Sequence, residues 1–236
     1  MTELIYFTEG CYLREFDATV VEVIGNGVIL DKTACYPEGG GQPCDTGVME
    51  TPAGVTRIIA VKKNSGNVIH EIDGNPPSIG DAVHVKIDWE RRYAHMRMHT
   101  AQHLLSGIVY NLYNARTVGN QIHADYSRVD FMPVNFTQDD IEKISAEFNR
   151  VTGQDIPVKI YMMDREAFAQ LEEGKRANLH LLPQEIKVLR IVEIPGYDVC
   201  PCAGTHLKNL REVGKIKVIK VERKGKDRNR IVYALE

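Results

Sequence analysis

At 236 residues and 43% hydrophobic content the chain is long enough for one large core or two modest ones, and no stretch approaches the roughly 18 to 20 apolar residues of a membrane span. A net charge of −3 excludes a uniformly basic nucleic-acid binder, and five cysteines (Cys11, Cys35, Cys44, Cys200, Cys202) make an odd set without the spacing of a disulfide framework. The N-terminus, MTELIYFTEGCYLREFD, lacks a basic head followed by an apolar segment, so a soluble protein of the reducing cytoplasm is expected, without membrane association.

Residues 1–88 read as β structure throughout. TVVEVI and VILD flank Gly25-Asn26-Gly27, TRIIAV and NVIHEI flank Asn64-Ser65-Gly66, and AVHVKID alternates strictly, so two hairpins and a further strand are predicted. Pro76, Pro77 and Gly80 mark a loop. With no helical period in this region, a small barrel is the economical arrangement. Between its strands lies CYPEGGGQPCDTG, residues 35–47, whose three consecutive glycines suit a tight loop with positive φ and also let backbone amides approach a phosphate or ribose.

The pattern changes at Asp88, placed to cap a helix starting at Trp89 with Glu90 in its positive first turn. Tyr93, Met96, Ala101, Leu104, Leu105, Ile108 and Leu112 then recur mostly at three- and four-residue steps, so one stripe is buried to about Tyr113. Extended segments follow between Gln121 and Phe131, and Thr137 with Asp140 forms a capping-box signal for a second helix. VKIYMM, a helical DREAFAQLEE, KVLRIVEI, KIKVIKV and NRIVYAL complete the reading. The predicted fold class is α+β: an N-terminal β-barrel domain, 1–88, then an α+β domain, 89–236, with an antiparallel sheet.

From Lys208 to Arg230 there are ten Lys or Arg against Glu212, Glu222 and Asp227, so this stretch carries +7 and the remainder −10. A segregated basic end suits phosphates, because neutralising them releases condensed counterions; it equally suits an edge strand guarded by lysines. Lys215, Lys217 and Lys220 are the candidates.

HTAQHLL places His99 and His103 four residues apart, hence on one helix face and one turn from each other. His95 extends the series, but it and His103 lie two turns apart, so only one adjacent pair can chelate. About a hundred residues later DVCPCAGTHLKNL sets Cys202 and His206 at Cys-x-x-x-His spacing in a segment where proline and glycine let a loop wrap around one ion. Three imidazoles and a thiolate suit zinc. Cys200 is an alternative to Cys202 that spacing does not separate, and iron or cobalt accept the same donors.

MRMHTAQHLLSG with VCPCAGTHLKN resembles the paired metal half-motifs of the alanyl-tRNA synthetase editing domain and its free-standing AlaX trans-editing relatives. CYPEGGGQPCDTG resembles the glycine-rich segment that precedes that domain in the synthetase and in the medium-length AlaX class. The resemblance covers most of the chain in the right order. It implies an editing domain built on a zinc-site helix, one zinc per chain held by His99, His103, Cys202 and His206, and hydrolysis of the aminoacyl ester of mischarged tRNA-Ala, chiefly Ser-tRNA-Ala with Gly-tRNA-Ala as a second substrate. An aminoacylation domain has no room in this length, and no obligate protein partner is evident.

Such editing has a physical basis: a pocket for alanine gains only about 1 to 3 kcal/mol over glycine and rejects an added hydroxyl poorly. Zinc could activate water, or hold the substrate while another base does so. Discrimination against alanine needs a polar partner for the serine hydroxyl, for which Thr117, Asn120, Gln121 and His123 are candidates. Gly39, Gly40, Gly41 and Gln42 are candidate contacts to the tRNA acceptor end. A non-catalytic zinc-containing tRNA-binding module and a zinc hydrolase of a small ester or amide are the competing readings.

Overall fold

Strand β2 (Glu15–Ile24) alternates from its first residue, with Phe16, Ala18 and Val20 buried between exposed Glu15, Asp17 and Thr19. That period of two puts one face of the strand into a core. In the computed structural model, which describes residues 1–8, 10–52, 54–173, 179 and 182–236, β2 joins β3 (Gly27–Leu30), β5 (Gly47–Thr51), β6 (Gly54–Asn64), β7 (Asn67–Asp73) and β8 (Ala82–Ile87) in a closed barrel. The order around the barrel is β2-β3-β7-β6-β5-β8, and every neighbouring pair is antiparallel. Val20, Leu30, Met49, Ile58, Val61, Ile72 and Val85 fill it. The β6–β7 turn puts Ser65 at φ 47° and Gly66 at φ 84°, the left-handed pair that matches the twist of a two-residue hairpin.

Two short pieces lie outside the barrel, and one of them departs from the all-β expectation. Strand β1 (Glu3–Leu4) runs parallel to β4 (Lys32–Thr33), and α1 (Ile5–Thr8) is a single helical turn. Four residues are too few to show a helical period, so no pattern in the chain announces that turn.

The chain folds as two compact units, Met1–His95 and Met96–Glu236. Helix α2 (Trp89–Tyr113) begins in the first and continues in the second. Asp88 caps it, its Oδ1 accepting the Arg91 amide at 3.2 Å. In the second unit β9 (Arg116–Ile122), β10 (Ser127–Met132), β14 (Ile216–Arg223) and β15 (Asn229–Leu235) form a four-stranded antiparallel sheet in the order β14-β15-β10-β9. The Tyr233 hydroxyl donates to Met98 O at 2.9 Å, fastening β15 to α2. Helix α3 (Gln138–Thr152) opens with the expected box, Thr137 and Asp140 each accepting the other's amide, and buries Ile141, Ile144, Phe148 and Val151. Strand β11 (Lys159–Asp164), helix α4 (Arg165–Gln170), and strands β12 (Val188–Ile194) and β13 (Asp198–Pro201) complete the unit, the strands pairing antiparallel in that order. The α+β class and the N-terminal barrel expected from the sequence are both present. Among the described residues no helix is long and apolar enough to cross a membrane.

Candidate metal centre

A glycine on the site face of α2 lets the second half-motif reach the first. An added Cβ at Gly107 would collide with the Tyr197 carbonyl, so only glycine admits the turn between β12 and β13 this close to the helix. Asn111, one turn on, donates to Gly196 O at 3.1 Å and fixes the same turn. Strand β13 then runs past the helix and delivers Asp198, Cys200 and, just beyond its end, Cys202.

His99, His103, Cys202 and His206 each offer a donor atom, and these atoms all lie within 4.8 Å of one another. Cys202 Sγ is 3.6 Å from His99 Nε2 and 3.3 Å from His206 Nε2. The edge of a tetrahedron with zinc–sulfur and zinc–nitrogen bonds of about 2.3 and 2.1 Å is about 3.6 Å, so the donor set fits one small tetrahedral ion. The three histidines are buried and Cys202 is half-buried. His95, also buried, is outside this group.

Two of the three rings, His103 and His206, are aimed by their other nitrogen. His103 Nδ1 lies 2.7 Å from Asp198 Oδ2, and His206 Nδ1 lies 3.3 Å from Thr100 Oγ1, which also accepts the Leu207 amide at 3.0 Å. Donation from Nδ1 leaves Nε2 for a metal, the usual arrangement around a bound ion. The 202–204 loop is clamped by buried Arg190, whose Nη1 donates to Cys202 O at 2.7 Å and Gly204 O at 3.0 Å. The Gly204 amide donates to Cys202 Sγ at 3.3 Å.

The two neighbouring thiols differ electrically. Burial pushes both toward the neutral form, but at Cys202 the His99 and His206 imidazoles outweigh it and hold the thiol well below its usual range. At Cys200 burial and the Asp198 carboxylate together push the pKa up to about 12. Cys200 Sγ sits 3.4 Å from both His103 Nδ1 and Asp198 Oδ2, beside the ring nitrogen already engaged by the carboxylate. Because thiolate is the ligating form, geometry and charge both favour Cys202.

Residues 7–91 match the family described as tRNA synthetases class II (A), and residues 189–232 match the threonyl and alanyl tRNA synthetase second additional domain. Over 246 residues the chain is 41% identical to alanyl-tRNA editing protein AlaX-M of Methanosarcina barkeri (strain Fusaro / DSM 804), covering 100% of this chain and 99% of that one. The chain belongs to the AlaX-M family of alanyl-tRNA editing proteins. The AlaX-M protein of Saccharolobus solfataricus (strain ATCC 35092 / DSM 1617 / JCM 11322 / P2) is 38% identical over 240 residues with complete coverage of both chains, 100% and 100%. Alanine–tRNA ligase of Thermococcus kodakarensis (strain ATCC BAA-918 / JCM 12380 / KOD1) is 35% identical over 240 residues, a match that spans 26% of that longer enzyme.

Of the residues read as AlaX substrate contacts, Thr117 and Asn120 are brought to the helix that carries the two histidines. The register of β9 against β10 shifts between Asp130 and Phe131, so Thr117 faces Phe131 and Asn120 faces Val129, both strand partners being buried. A regular strand would turn residues three apart to opposite faces; the bulge at Val118 puts them on the same one. Gln121 instead accepts from Arg128 Nε at 3.0 Å on the outer side of the sheet, and His123 stacks on Tyr126 at 4.6 Å in the following turn.

In the glycine-rich segment Gly40 and Gly41 take φ 57° and 84°, between backbone hydrogen bonds that Gly39 and Gln42 exchange at 3.2 and 2.9 Å. The loop therefore requires glycine structurally. Gly40 and Gly41 are exposed, whereas Gln42 is buried. Lys215 and Lys217 are exposed, and Lys220 pairs with Glu222 at 2.6 Å. Arg92 and Arg97 bind protein groups: Arg92 is buried against Asp45, and Arg97 donates to Val213 O at 3.0 and 2.8 Å.

Proposed function

We propose that this AlaX-M family member is a trans-editing deacylase that hydrolyses the ester between a mischarged amino acid and tRNA-Ala, chiefly Ser-tRNA-Ala, with Gly-tRNA-Ala as a second substrate. The observation that carries this reading is the convergence of His99, His103, Cys202 and His206 within 4.8 Å, in a chain that matches editing proteins along its whole length. The ion these donors suit best is zinc, one per chain, which when bound supplies a Lewis acid able to polarise an ester carbonyl or lower the pKa of water.

The chain's own groups do the rest. Asp198 and Thr100 aim the His103 and His206 imidazoles, Arg190 holds the loop that carries Cys202, and Thr117 with Asn120 are the proposed contacts to the amino-acid side chain. Gln121 and His123, read from the sequence with them, are less suited because they meet Arg128 and Tyr126 rather than residues of the helix that carries the histidines. Exposed Gly40 and Gly41, flanked by Gly39 and Gln42, would meet the acceptor end through backbone amides, and Lys215, Lys217 and Lys220 its phosphates. In this reading 1–88 is the barrel carrying the glycine-rich loop and 89–236 the editing domain.

The test is incubation with tRNA-Ala charged with serine, glycine or alanine, with and without a chelator. Release of serine and glycine but not alanine, abolished by the chelator and restored by zinc, is expected. Tight tRNA binding without release of any amino acid would instead indicate a binding module. Turnover of small esters without salt-sensitive tRNA affinity would indicate a different hydrolase.

A further inference from the structure

A chain of polar side chains links the strand after α2 to the helix face that carries the histidines. Asn120 Nδ2 donates to Gln102 Oε1 at 3.2 Å, Gln102 Nε2 donates to Ser106 Oγ at 2.8 Å, and Ser106 Oγ lies 2.7 Å from Thr117 Oγ1. Gln102 is buried at 7% exposure, while Ser106, Thr117 and Asn120 are half-buried. At 100° per residue, Gln102, Ser106, His99 and His103 fall within an arc of about 100° on α2. Ser106 is one turn beyond His103, with side chains that start about 5 to 6 Å apart, and Thr117 touches Ser106.

The amide end of the chain has a direction. Both amides donate toward Ser106, whose oxygen is thereby an acceptor; either hydroxyl of the Ser106–Thr117 pair can be the donor, and Thr117 Oγ1 is within reach of the Ser106 O–H. When Thr117 accepts the Ser106 proton, its own O–H is left to donate elsewhere, and each bond in such a series polarises the next.

We propose that Ser106 is a positioning residue that turns the Thr117 hydroxyl outward as a hydrogen-bond donor to the side-chain hydroxyl of a seryl ester, with Gln102 fixing the polarity of the arrangement. This rests on the deacylase reading above and refines its selectivity. A glycyl ester has no side-chain oxygen to receive that bond, and its hydrolysis should be indifferent to residue 106.

The experiment compares wild type, Ser106→Ala and the conservative Ser106→Thr, with zinc content measured for each. Two readouts are taken: kcat/KM on seryl- and glycyl-tRNA-Ala, and calorimetric binding of stable 3′-seryl-amido- and 3′-glycyl-amido-adenosine. Loss of one directed hydrogen bond predicts about a tenfold fall for the seryl ester in Ser106→Ala, with the glycyl ester within about twofold and substantial recovery in Ser106→Thr. Equal losses on both esters, no loss on either, or loss of zinc would overturn the proposal. If wild type hydrolyses neither ester, the deacylase reading fails, and binding then judges Ser106: a seryl-over-glycyl preference weakened in Ser106→Ala supports its role, and an unchanged ratio overturns it.

Discussion

The carboxylate of Asp198 stands 2.7 Å from Nδ1 of His103, on the opposite edge of the ring from the nitrogen available to the cluster. That contact selects one tautomer and one ring orientation. Partners of this kind typically change metal affinity by about 10- to 100-fold when removed. Asp198→Asn should therefore weaken zinc binding by about that factor while leaving the fold intact, as read by competition with a chromophoric chelator. An affinity equal to wild type would mean that His103 needs no such restraint.

The two cysteines of DVCPC are separated by one residue but face different neighbours. Cys202→Ser should abolish stoichiometric zinc at micromolar protein, because it removes the thiolate held low by the surrounding imidazoles. Cys200→Ser should keep one zinc per chain, because that thiol, pushed up to about 12, is protonated at neutral pH and borders the Asp198 side of His103. Metal analysis of the two purified variants distinguishes them, and the reverse pattern would exchange the roles of the cysteines.

The half-motifs were legible because metal ligation demands particular residue types at particular spacings. His99 and His103 need only the 3.6-residue turn, and Cys202 with His206 needs only a loop, so a single sequence suffices to nominate all four. The hairpins and the barrel were legible for a similar reason: Ser65-Gly66 and the alternation in β2 are local signals. Asp198, Thr100 and Arg190 carry no such local signature. Each acts across 95, 106 and 12 positions respectively, on His103, His206 and Cys202. The bulge at Val118 was equally hidden, and it is what puts Thr117 on the face of Asn120 rather than on that of Gln121. Gly107 looked like an ordinary residue of the helix, because the backbone it accommodates is about ninety positions away.

That glycine supports a further prediction. Gly107→Ala raises intrinsic helix propensity by about 1 kcal/mol, so on local grounds α2 should be stabilised. The added methyl, however, meets the Tyr197 backbone, and displacing that turn moves Asp198 and Cys202 with it. The expected outcome is a net loss of stability and weaker zinc binding, measured by thermal unfolding with and without added zinc. A stabilised variant with normal zinc affinity would show that the turn relaxes without cost.

Inside the barrel His70 is wholly buried, donating from Nδ1 to Val28 O at 3.1 Å and accepting the Thr33 hydroxyl at Nε2, 2.8 Å away. Thr33 Oγ1 in turn accepts the Cys35 amide at 3.0 Å, where the glycine-rich segment begins. Burial lowers the His70 pKa from 6.5 to about 4, so below pH 6.5 the unfolded chain binds a proton that the folded chain refuses. Stability from this group is complete above pH 6.5 and is lost as pH falls toward 4, about 3 kcal/mol over the window. Urea unfolding at pH 7 and pH 4.5 should show a steeper loss in wild type than in His70→Gln. Equal slopes would remove His70 as the source.

The same loop is closed at its far end by the ion pair of Arg92 and Asp45, both side chains being fully buried. Arg92 Nε lies 2.9 and 3.0 Å from the two Asp45 oxygens, while Nη1 and Nη2 donate to Cys11 O and Ala34 O at 3.0 and 2.6 Å. Asp45 also accepts the Tyr36 amide at 2.6 Å, pinning both ends of the segment that carries Gly40 and Gly41. Replacing the pair by apolar residues could be neutral, but removing one member leaves a buried charge and typically costs about 3 to 5 kcal/mol. Arg92→Met should therefore lower the urea midpoint of the barrel by that equivalent and expose the Gly40–Gly41 bond to limited proteolysis. The loop would loosen before the hydrophobic interior does, because Val20, Leu30 and Met49 keep their contacts with one another. A shift below about 1 kcal/mol, with the loop still protected, would mean that Asp45 finds another cation or takes up a proton at little cost.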